Sequence, residues 1–219
     1  MSISEKIKKY KEDLPKDVDL VAVSKTKPNE DLMEAYDAGQ RIFGENKIQE
    51  MTDKHEALPK DIEWHMIGHV QSNKVKYMAP YVNLVHAVHK LKLLKEINKR
   101  AKEENRVINC LLQLKIAEED SKYGMGADEA LKILNSEAYK EMENVKIVGL
   151  MGMATLTEDE QKIDSEFAYL KVKMDDFSKE FPELTILSMG MSGDYQIAIK
   201  NGSTMLRIGS SIFGERNYN

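Results

Sequence analysis

The strongest constraint on the fold of this chain is a regular alternation of short apolar runs with amphipathic stretches. Eight apolar runs recur along the 219 residues, and a stretch with helical spacing separates each run from the next. Strands that alternate with helices indicate a parallel sheet, because each helix returns the chain to the edge where the next strand begins. Eight such units in about 200 residues are typical of a (β/α)8 barrel.

The pattern predicts where the elements lie. We predict strands at 19–24, 41–43, 63–67, 82–88, 107–116, 145–150, 184–187 and 204–208. We predict helices at 3–14, 28–38, 46–55, 71–78, 91–101, 127–139, 157–181 and 195–200. Thr157 and Glu160 have the spacing of a capping box at the start of the long helix. The apolar stripe of that helix favours packing on a sheet, since it is too short for a coiled coil.

A doubly wound open sheet is the competing architecture, but its first turn is usually rich in glycine. The first predicted strand instead runs into residues 24–28, which contain no glycine. The sequence also shows no linker and no low-complexity tract. We therefore predict an α/β fold with one TIM-type (β/α)8 barrel domain over residues 1–219, preceded by an extra N-terminal helix.

Composition excludes several classes of protein. The charged N-terminal segment lacks the apolar region of a signal peptide, and no apolar run is long enough to span a bilayer. The net charge of −5 argues against nucleic-acid binding, and one cysteine allows neither an intrachain disulfide nor a cysteine-based zinc site. We expect a soluble cytoplasmic protein that binds no nucleic acid and no membrane. We also expect a monomer, because no long apolar stripe lacks a use in the core.

In barrels of this type the chemistry lies at the carboxyl ends of the strands. The first predicted strand ends at Lys25, beside the buried run of residues 21–23. Partial removal from water disfavours the ammonium form of such a lysine, and the free amine can form a Schiff base with an aldehyde. A solvated lysine in a strand-to-helix loop would give the same pattern, so position alone leaves both interpretations open.

Polar and small residues follow the next strands. Asn46 follows the second strand, where its amide could contact a ligand or merely cap the following helix. His65 and His69 lie at the end of the third strand, and we expect one packed, hydrogen-bonded histidine and one in a loop. We predict no metal site there. The methionines of segments 149–153 and 188–192 could form an apolar wall or ordinary core.

Two sets of hydrogen-bond donors follow the last two strands. Ser192 and Gly193 precede a short helix and could bind an anion, although a plain serine N-cap would look the same. Gly209 and Ser210 follow the eighth strand, and loops after strands seven and eight often form phosphate sites in this fold. Arg207 lies within the eighth strand and should point into the barrel, where its charge requires an acceptor.

Taken together, six ordered motifs resemble those of the pyridoxal phosphate homeostasis proteins, the single-domain relatives of the alanine racemase barrel. The motifs are VAVSKTKP at 21–28, FGEN at 43–46, WHMIGH at 64–69, GLMGM at 149–153, SMGMS at 188–192 and RIGSSIFG at 207–214. The resemblance runs from about residue 19 to residue 216, which is nearly the whole chain.

The resemblance implies that pyridoxal 5′-phosphate is the cofactor and that Lys25 holds it covalently as an internal aldimine. It implies roles for five further residues in binding the cofactor. These are Ser192, Gly209 and Ser210 at the phosphate, Arg207 at the pyridine nitrogen and Asn46 near the ring. It also suggests that His65 and Met66 line the site.

Arg207 bears on the chemistry that this resemblance implies. An arginine can donate to the pyridine nitrogen but cannot accept from it, so the nitrogen stays unprotonated and the ring is a weaker electron sink. That arrangement disfavours aminotransferase-type chemistry and permits racemase-type chemistry. A two-base racemase of the related fold uses a tyrosine from a second domain, whereas this chain ends at Asn219. Tyr195 and Tyr218 remain open as replacements.

We therefore interpret the chain as a binder and carrier of pyridoxal phosphate in intracellular homeostasis, without evident turnover. Apo-enzymes that depend on this cofactor are the candidate recipients. One alternative is an amino-acid racemase of the alanine racemase type that uses the same cofactor. Another is a barrel enzyme of a different class, in which Lys25 forms a Schiff base with a sugar phosphate.

Overall fold

A computed structural model describes residues 1–117 and 124–215 of the chain. Within these residues, eight parallel strands close into a barrel in sequence order, and the last strand pairs with the first. The strands are β1 Asp19–Val23, β2 Ile42–Glu45, β3 Glu63–Met66, β4 Leu84–Val88, β5 Ile108–Gln113, β6 Val145–Met151, β7 Ile186–Ser188 and β8 Met205–Ile208. The predicted TIM-type barrel is confirmed, whereas the single-domain boundary of 1–219 stays a prediction.

Helices connect the strands around the outside of the barrel. They are α1 Ile3–Asp13, α2 Asn29–Asp37, α3 Ile48–Ala57, α4 Val75–Met78, α5 Leu91–Glu103, α6 Ala127–Asn135, α7 Glu137–Lys140, α8 Glu160–Ser178, α9 Tyr195–Lys200 and α10 Ser210–Phe213. Helix α1 is the predicted extra N-terminal helix. Across the part of the chain described here, none of the helices combines the length and the apolar composition needed to cross a bilayer.

Two apolar layers hold the barrel, because successive side chains of a strand point to opposite faces. Leu20 and Ala22 of β1 pack in the larger layer, between the strands and the helices. Val21 packs in a smaller cluster inside the barrel, together with Leu84, Leu111, Met151 and Met205. The same alternation carries the inward row of β1 through Val23 towards Lys25, at the carboxyl end of the strand.

Strands β6 and β7 approach so closely that one position has to be glycine. A Cβ atom at Gly149 would lie 1.8 Å from the carbonyl oxygen of Ile186. Gly149 therefore allows β6 and β7 to pair at this close distance.

Several predicted helix boundaries are wrong, and local polar groups explain the differences. Asp159, not Thr157, caps α8, because its carboxylate lies beside the first free N–H groups of the helix and accepts from two of them. The predicted helix at 127–139 is divided at Ser136, which is extended and caps α7 with its hydroxyl group. Strand β2 continues two residues beyond its predicted end at Phe43. The short helix α10 was not predicted.

Candidate functional site

A cavity of about 410 Å³ opens at the carboxyl ends of the strands. All six residues expected to form the site line this cavity: Lys25, Asn46, Ser192, Arg207, Gly209 and Ser210. The other lining side chains are mainly apolar: Val23, Ile67, Met153, Leu156 and Met191. The fold thus gathers residues from both ends of the sequence, because the carboxyl ends of parallel strands meet at one rim.

The charges around the cavity favour an anionic ligand. Lys25, Lys27 and Arg207 line it, and no carboxylate does so among the described residues. Burial lowers the pKa of Arg207, and Asp194 is near enough to offset part of that lowering; one of the Asp194 carboxylate oxygens also accepts the N–H of Met191 at 2.6 Å. A ligand with an apolar body and a negative group would match both the walls and the charge.

Arg207 forms part of the floor of the cavity and is 4% exposed. Its Nη1 atom donates to Ser188 Oγ at 2.6 Å, and its Nη2 atom donates to the carbonyl oxygen of Gly152 at 3.0 Å. Both acceptors are neutral, so they orient the guanidinium group without cancelling its charge. Burial lowers the pKa of Arg207 to about 10, which still leaves the group protonated at neutral pH.

A chain of buried hydrogen bonds continues from Arg207 across the inside of the barrel. His86 Nδ1 lies 3.1 Å from Ser188 Oγ, and His86 Nε2 lies 3.1 Å from His65 Nδ1. Burial lowers the pKa of His65 to about 3 and holds the pKa of His86 well below its usual value, so both rings are neutral. The expectation of one packed, hydrogen-bonded histidine at this strand holds for His65, while His69 is exposed.

One arrangement of protons uses every donor and acceptor of this chain, including the Ser188 hydroxyl hydrogen. Arginine can only donate, so Ser188 accepts a hydrogen bond from Arg207. Its own hydroxyl group can then donate a hydrogen bond to Nδ1 of His86. His86 then carries its proton on Nε2 and donates to Nδ1 of His65. This assignment uses the hydroxyl hydrogen of Ser188 and keeps both imidazoles neutral.

A second group of polar atoms joins the loops that follow β7 and β8. Ser192 Oγ accepts from the N–H groups of Gly209 and Ser211 at 3.4 and 3.5 Å, and it lies 3.1 Å from Ser211 Oγ. The two long N–H···O distances indicate weak bonds, which a better acceptor could replace. Ser192 does not cap α9, because Asp194 occupies that position.

Helix α1 and Lys27 hold the segment that carries these donors. Tyr10 Oη lies 2.7 Å from Ser211 Oγ, and Lys6 Nζ donates to the carbonyl oxygen of Ile212 at 3.1 Å. Lys27 Nζ donates to the carbonyl oxygens of Phe213 and Glu215, each at 2.9 Å. These contacts join positions far apart in the chain, so no sequence motif indicates them.

Asn46 lies at the side of the cavity and not at a helix cap. Lys47 occupies the N-cap position of α3, and no side chain caps that helix. Gly68 packs directly on the Asn46 backbone, because a Cβ atom there would lie 2.4 Å from the Asn46 carbonyl oxygen. Asn46 therefore has a tightly packed backbone and lies in the wall of the cavity.

Other residues named from the sequence lie elsewhere. His65 and Met66 are not among the residues that line the cavity; His65 lies in the buried chain, and Met66 packs between the barrel and the helices. The Tyr195 ring packs edge-on against Tyr10, and Tyr218 lies outside the described residues. Within the described ranges, no three His, Cys, Asp or Glu side chains are placed to hold a metal ion.

Comparison with known proteins gives one consistent result. Residues 1–217 match the family described as "Alanine racemase, N-terminal domain". The chain is 39% identical to the pyridoxal phosphate homeostasis protein of Aquifex aeolicus, covering 91% of this chain and 87% of that protein. It is 40% identical to the protein of the same name from Vibrio alginolyticus, covering 93% of this chain and 89% of that protein.

The fold has a similar match among solved structures. PipY of Synechococcus elongatus, solved with PLP bound, superposes with a TM-score of 0.88 and 32% identity. That superposition covers 97% of this chain and 100% of PipY. The match extends over the whole barrel, including the ends of the strands.

Proposed function

The chain belongs to the pyridoxal phosphate homeostasis proteins, within the family of alanine racemase N-terminal domains, and we propose that it binds pyridoxal 5′-phosphate as a carrier or buffer of this cofactor. One observation carries the proposal: a single cavity combines an amine, an arginine whose hydrogen-bond partners are neutral, and a set of N–H and hydroxyl donors, with no carboxylate among the described lining residues. The relatives carry the homeostasis name, and PipY was solved with PLP bound.

Lys25 is the residue that we propose to join the cofactor covalently. It follows the inward row of β1 and is half-buried in the wall of the cavity. An amine in such a place can form a Schiff base with the aldehyde group of the cofactor. The neighbouring Lys27 has a structural contact of its own, because its amine donates to the carbonyl oxygens of Phe213 and Glu215.

The donors after β7 and β8 suit the phosphate group. Ser192, Gly209 and Ser210 line the cavity together, and the weak bonds at Ser192 leave N–H groups that a phosphate oxygen could take over. The apolar walls, which include Val23 and Ile67, suit a planar ring between the amine and these donors. The size and chemistry of the cavity therefore fit the cofactor.

Arg207 supports a binding role more than a catalytic one. Bound pyridoxal phosphate supplies an electron sink, and this sink is strongest when an acid keeps the ring nitrogen protonated. Arg207 can only donate to that nitrogen, and its own partners Ser188 and Gly152 are neutral. The proposed site thus binds the ring and does little to activate it. This proposal includes cytoplasmic apo-enzymes as recipients of the cofactor and a monomeric protein.

The test is a visible spectrum of the purified protein with added pyridoxal phosphate, before and after reduction with borohydride. We expect an imine band that disappears on reduction, because borohydride converts the imine into a stable secondary amine, and mass mapping should place the modification on Lys25. The variant K25A should lose the band, whereas K27A in the same cavity should retain it. A wild-type protein that forms no imine would overturn the covalent part of the proposal.

The same preparation tests the racemase alternative. Arg207 permits racemase-type chemistry, so the protein is incubated with common amino acids in deuterated water and the exchange of the Cα hydrogen is followed. A carrier should show no exchange above that of free pyridoxal phosphate. Faster exchange that K25A abolishes would favour the racemase.

A further inference from the structure

A buried network of charged side chains lies behind the loop that carries Lys25. Lys54 of α3 is 5% exposed, and Glu45 at the end of β2 is fully buried. Lys54 Nζ donates to Glu45 Oε1 at 2.7 Å and to Glu50 Oε1 at 2.8 Å. One ammonium group therefore joins two carboxylates at the outer side of β1.

This network binds the main chain on both sides of Lys25. Lys54 Nζ also donates to the carbonyl oxygen of Ser24 at 2.8 Å, and Ser24 Oγ donates to Glu45 Oε1 at 2.6 Å. On the other side, the N–H of Thr26 donates to Glu50 Oε1 at 2.5 Å. The residues before and after Lys25 are thus fixed to the same three charged groups.

The backbone that these bonds hold has an unfavourable conformation. Ser24 and Lys27 close a tight turn, in which the carbonyl oxygen of Ser24 accepts the N–H of Lys27 at 3.0 Å. Thr26, the third residue of this turn, has a φ of +64°. Glycine or asparagine is normally found at such a position, and a β-branched residue adopts it only where the surroundings enforce it. The hydrogen bond from the Thr26 N–H to Glu50 Oε1 helps to hold Thr26 in this conformation.

The composition of the network argues against a purely stabilising role. Buried charge pairs contribute little net stability, because the cost of removing the charges from water offsets their attraction. Glu45 also keeps one buried oxygen, Oε2, without a hydrogen-bond partner among the described residues. A few apolar side chains would join α3 to β1 equally well, but they could not bind the Ser24 carbonyl group and the Thr26 N–H.

We propose that Lys54 and Glu50 are positioning residues, which set the direction of the Lys25 amine by fixing the main chain of Ser24 and Thr26. The inference rests on the proposed function, in which this amine reacts with the aldehyde group of the cofactor. A reacting group held in the correct direction reacts much faster than one that has to find it. Loss of the network should therefore slow imine formation more than it weakens binding of the cofactor.

Glu50 gives the sharpest test, because its side chain is partly exposed and can be changed without opening the core. Imine formation is followed in the visible spectrum after mixing the full-length protein with pyridoxal phosphate. We expect E50A to react about tenfold or more slowly than the wild type, because the Thr26 N–H loses its acceptor. E50Q keeps an acceptor oxygen and should react within about twofold of the wild type. K54M should be at least as slow as E50A.

Two further measurements separate positioning from a general loss of structure. Pyridoxine 5′-phosphate lacks the aldehyde group, so its affinity reports binding of the ring and phosphate alone. We expect this affinity to stay within about twofold of the wild type in E50A, since Ser192, Gly209 and Ser210 are unchanged. Q49A is the matched control on the same helix, because Gln49 binds only Asp53 at the exposed surface among the bonds described here. It should react at the wild-type rate.

The outcomes divide clearly. Slow imine formation in E50A with normal pyridoxine 5′-phosphate affinity and recovery in E50Q supports the inference. Wild-type rates in both E50A and K54M overturn it, as does a parallel loss of rate, of pyridoxine 5′-phosphate affinity and of resistance to urea. A wild-type protein that forms no imine overturns the proposed function itself, and this result is visible before any variant is made.

Discussion

The buried pair His65 and His86 should make the stability of this protein depend on pH. Burial holds the pKa of both imidazoles far below the value of 6.5 that they have in an unfolded chain. Between pH 6.5 and about 3, the unfolded chain therefore binds protons that the folded barrel excludes. Stability that is fully present above pH 6.5 is lost as the pH falls through this range.

The size of the effect follows from the same difference. A group that is protonated only in the unfolded state lowers the free energy of unfolding by about 1.4 kcal/mol for each pH unit. Between pH 7 and pH 5, each histidine should remove about 2 kcal/mol, and the pair should remove about 4 kcal/mol. That loss is a large part of the total stability of an ordinary domain.

Urea unfolding at pH 7 and pH 5 measures the effect, with the double variant H65Q/H86Q as the reference. Glutamine can form hydrogen bonds at these positions but does not titrate. The two proteins have the same carboxylates, so the contribution of these groups to the loss of stability cancels in the comparison. The wild type should lose about 4 kcal/mol more than this variant between the two pH values. The variant H69Q should alter the difference much less, because His69 is exposed. Equal losses in the wild type and H65Q/H86Q would show that the buried imidazoles take up protons in the folded barrel, which refutes the reasoning.

Three further changes have defined outcomes. R207M should weaken binding of pyridoxal phosphate. It should change the free energy of unfolding of the ligand-free protein by less than about 2 kcal/mol. The variant loses two hydrogen bonds, but it also removes a buried charge whose burial costs about 3 kcal/mol. Urea unfolding measures the stability and spectral titration measures the binding, and a loss of stability above about 2 kcal/mol contradicts the expectation. S192A should lower the affinity for pyridoxine 5′-phosphate about tenfold in equilibrium dialysis; an unchanged affinity would exclude Ser192 from the phosphate site. G149A should lose about 1 to 3 kcal/mol of stability in urea, since its Cβ has no room beside Ile186, and wild-type stability would contradict the close approach of β6 and β7.

Much of the fold and the position of the site follow from sequence patterns. The alternation of apolar runs and amphipathic stretches predicts eight strands, and eight strands with intervening helices predict the closed barrel. Once the barrel is predicted, residues that directly follow strands have to meet at one rim. Lys25 and Ser210 could therefore be placed in one cavity although the whole barrel separates them in sequence. The roles assigned to these residues stay predictions until the experiments above are done.

The remaining features depend on competition between neighbouring groups or on strand register. Thr157 and Asp159 both offer an oxygen to the start of α8, and only the path of the chain decides which one caps it. Helix α10 is four residues long, so it is too short to show helical periodicity. The partner of Arg207 was not predicted, because Ser188 faces it only in the register that pairs Ser188 with Met205. A shift of one residue would turn the Ser188 hydroxyl group out of the barrel.

If Arg207 binds the cofactor as we propose, its neutral partners also explain how one residue can favour binding while restraining chemistry. Ser188 and Gly152 fix the guanidinium group but leave its positive charge for a ligand, and the neutral rings of His86 and His65 add no opposing charge behind it. An anion in the cavity would therefore recover part of the free energy lost when Arg207 was buried, which favours binding. In the proposed site, the same arginine would have no acceptor to offer a protonated ring nitrogen, so it could not help the ring to accept electrons. A site built in this way should hold pyridoxal phosphate firmly and react slowly with amino acids, as a carrier of the cofactor requires.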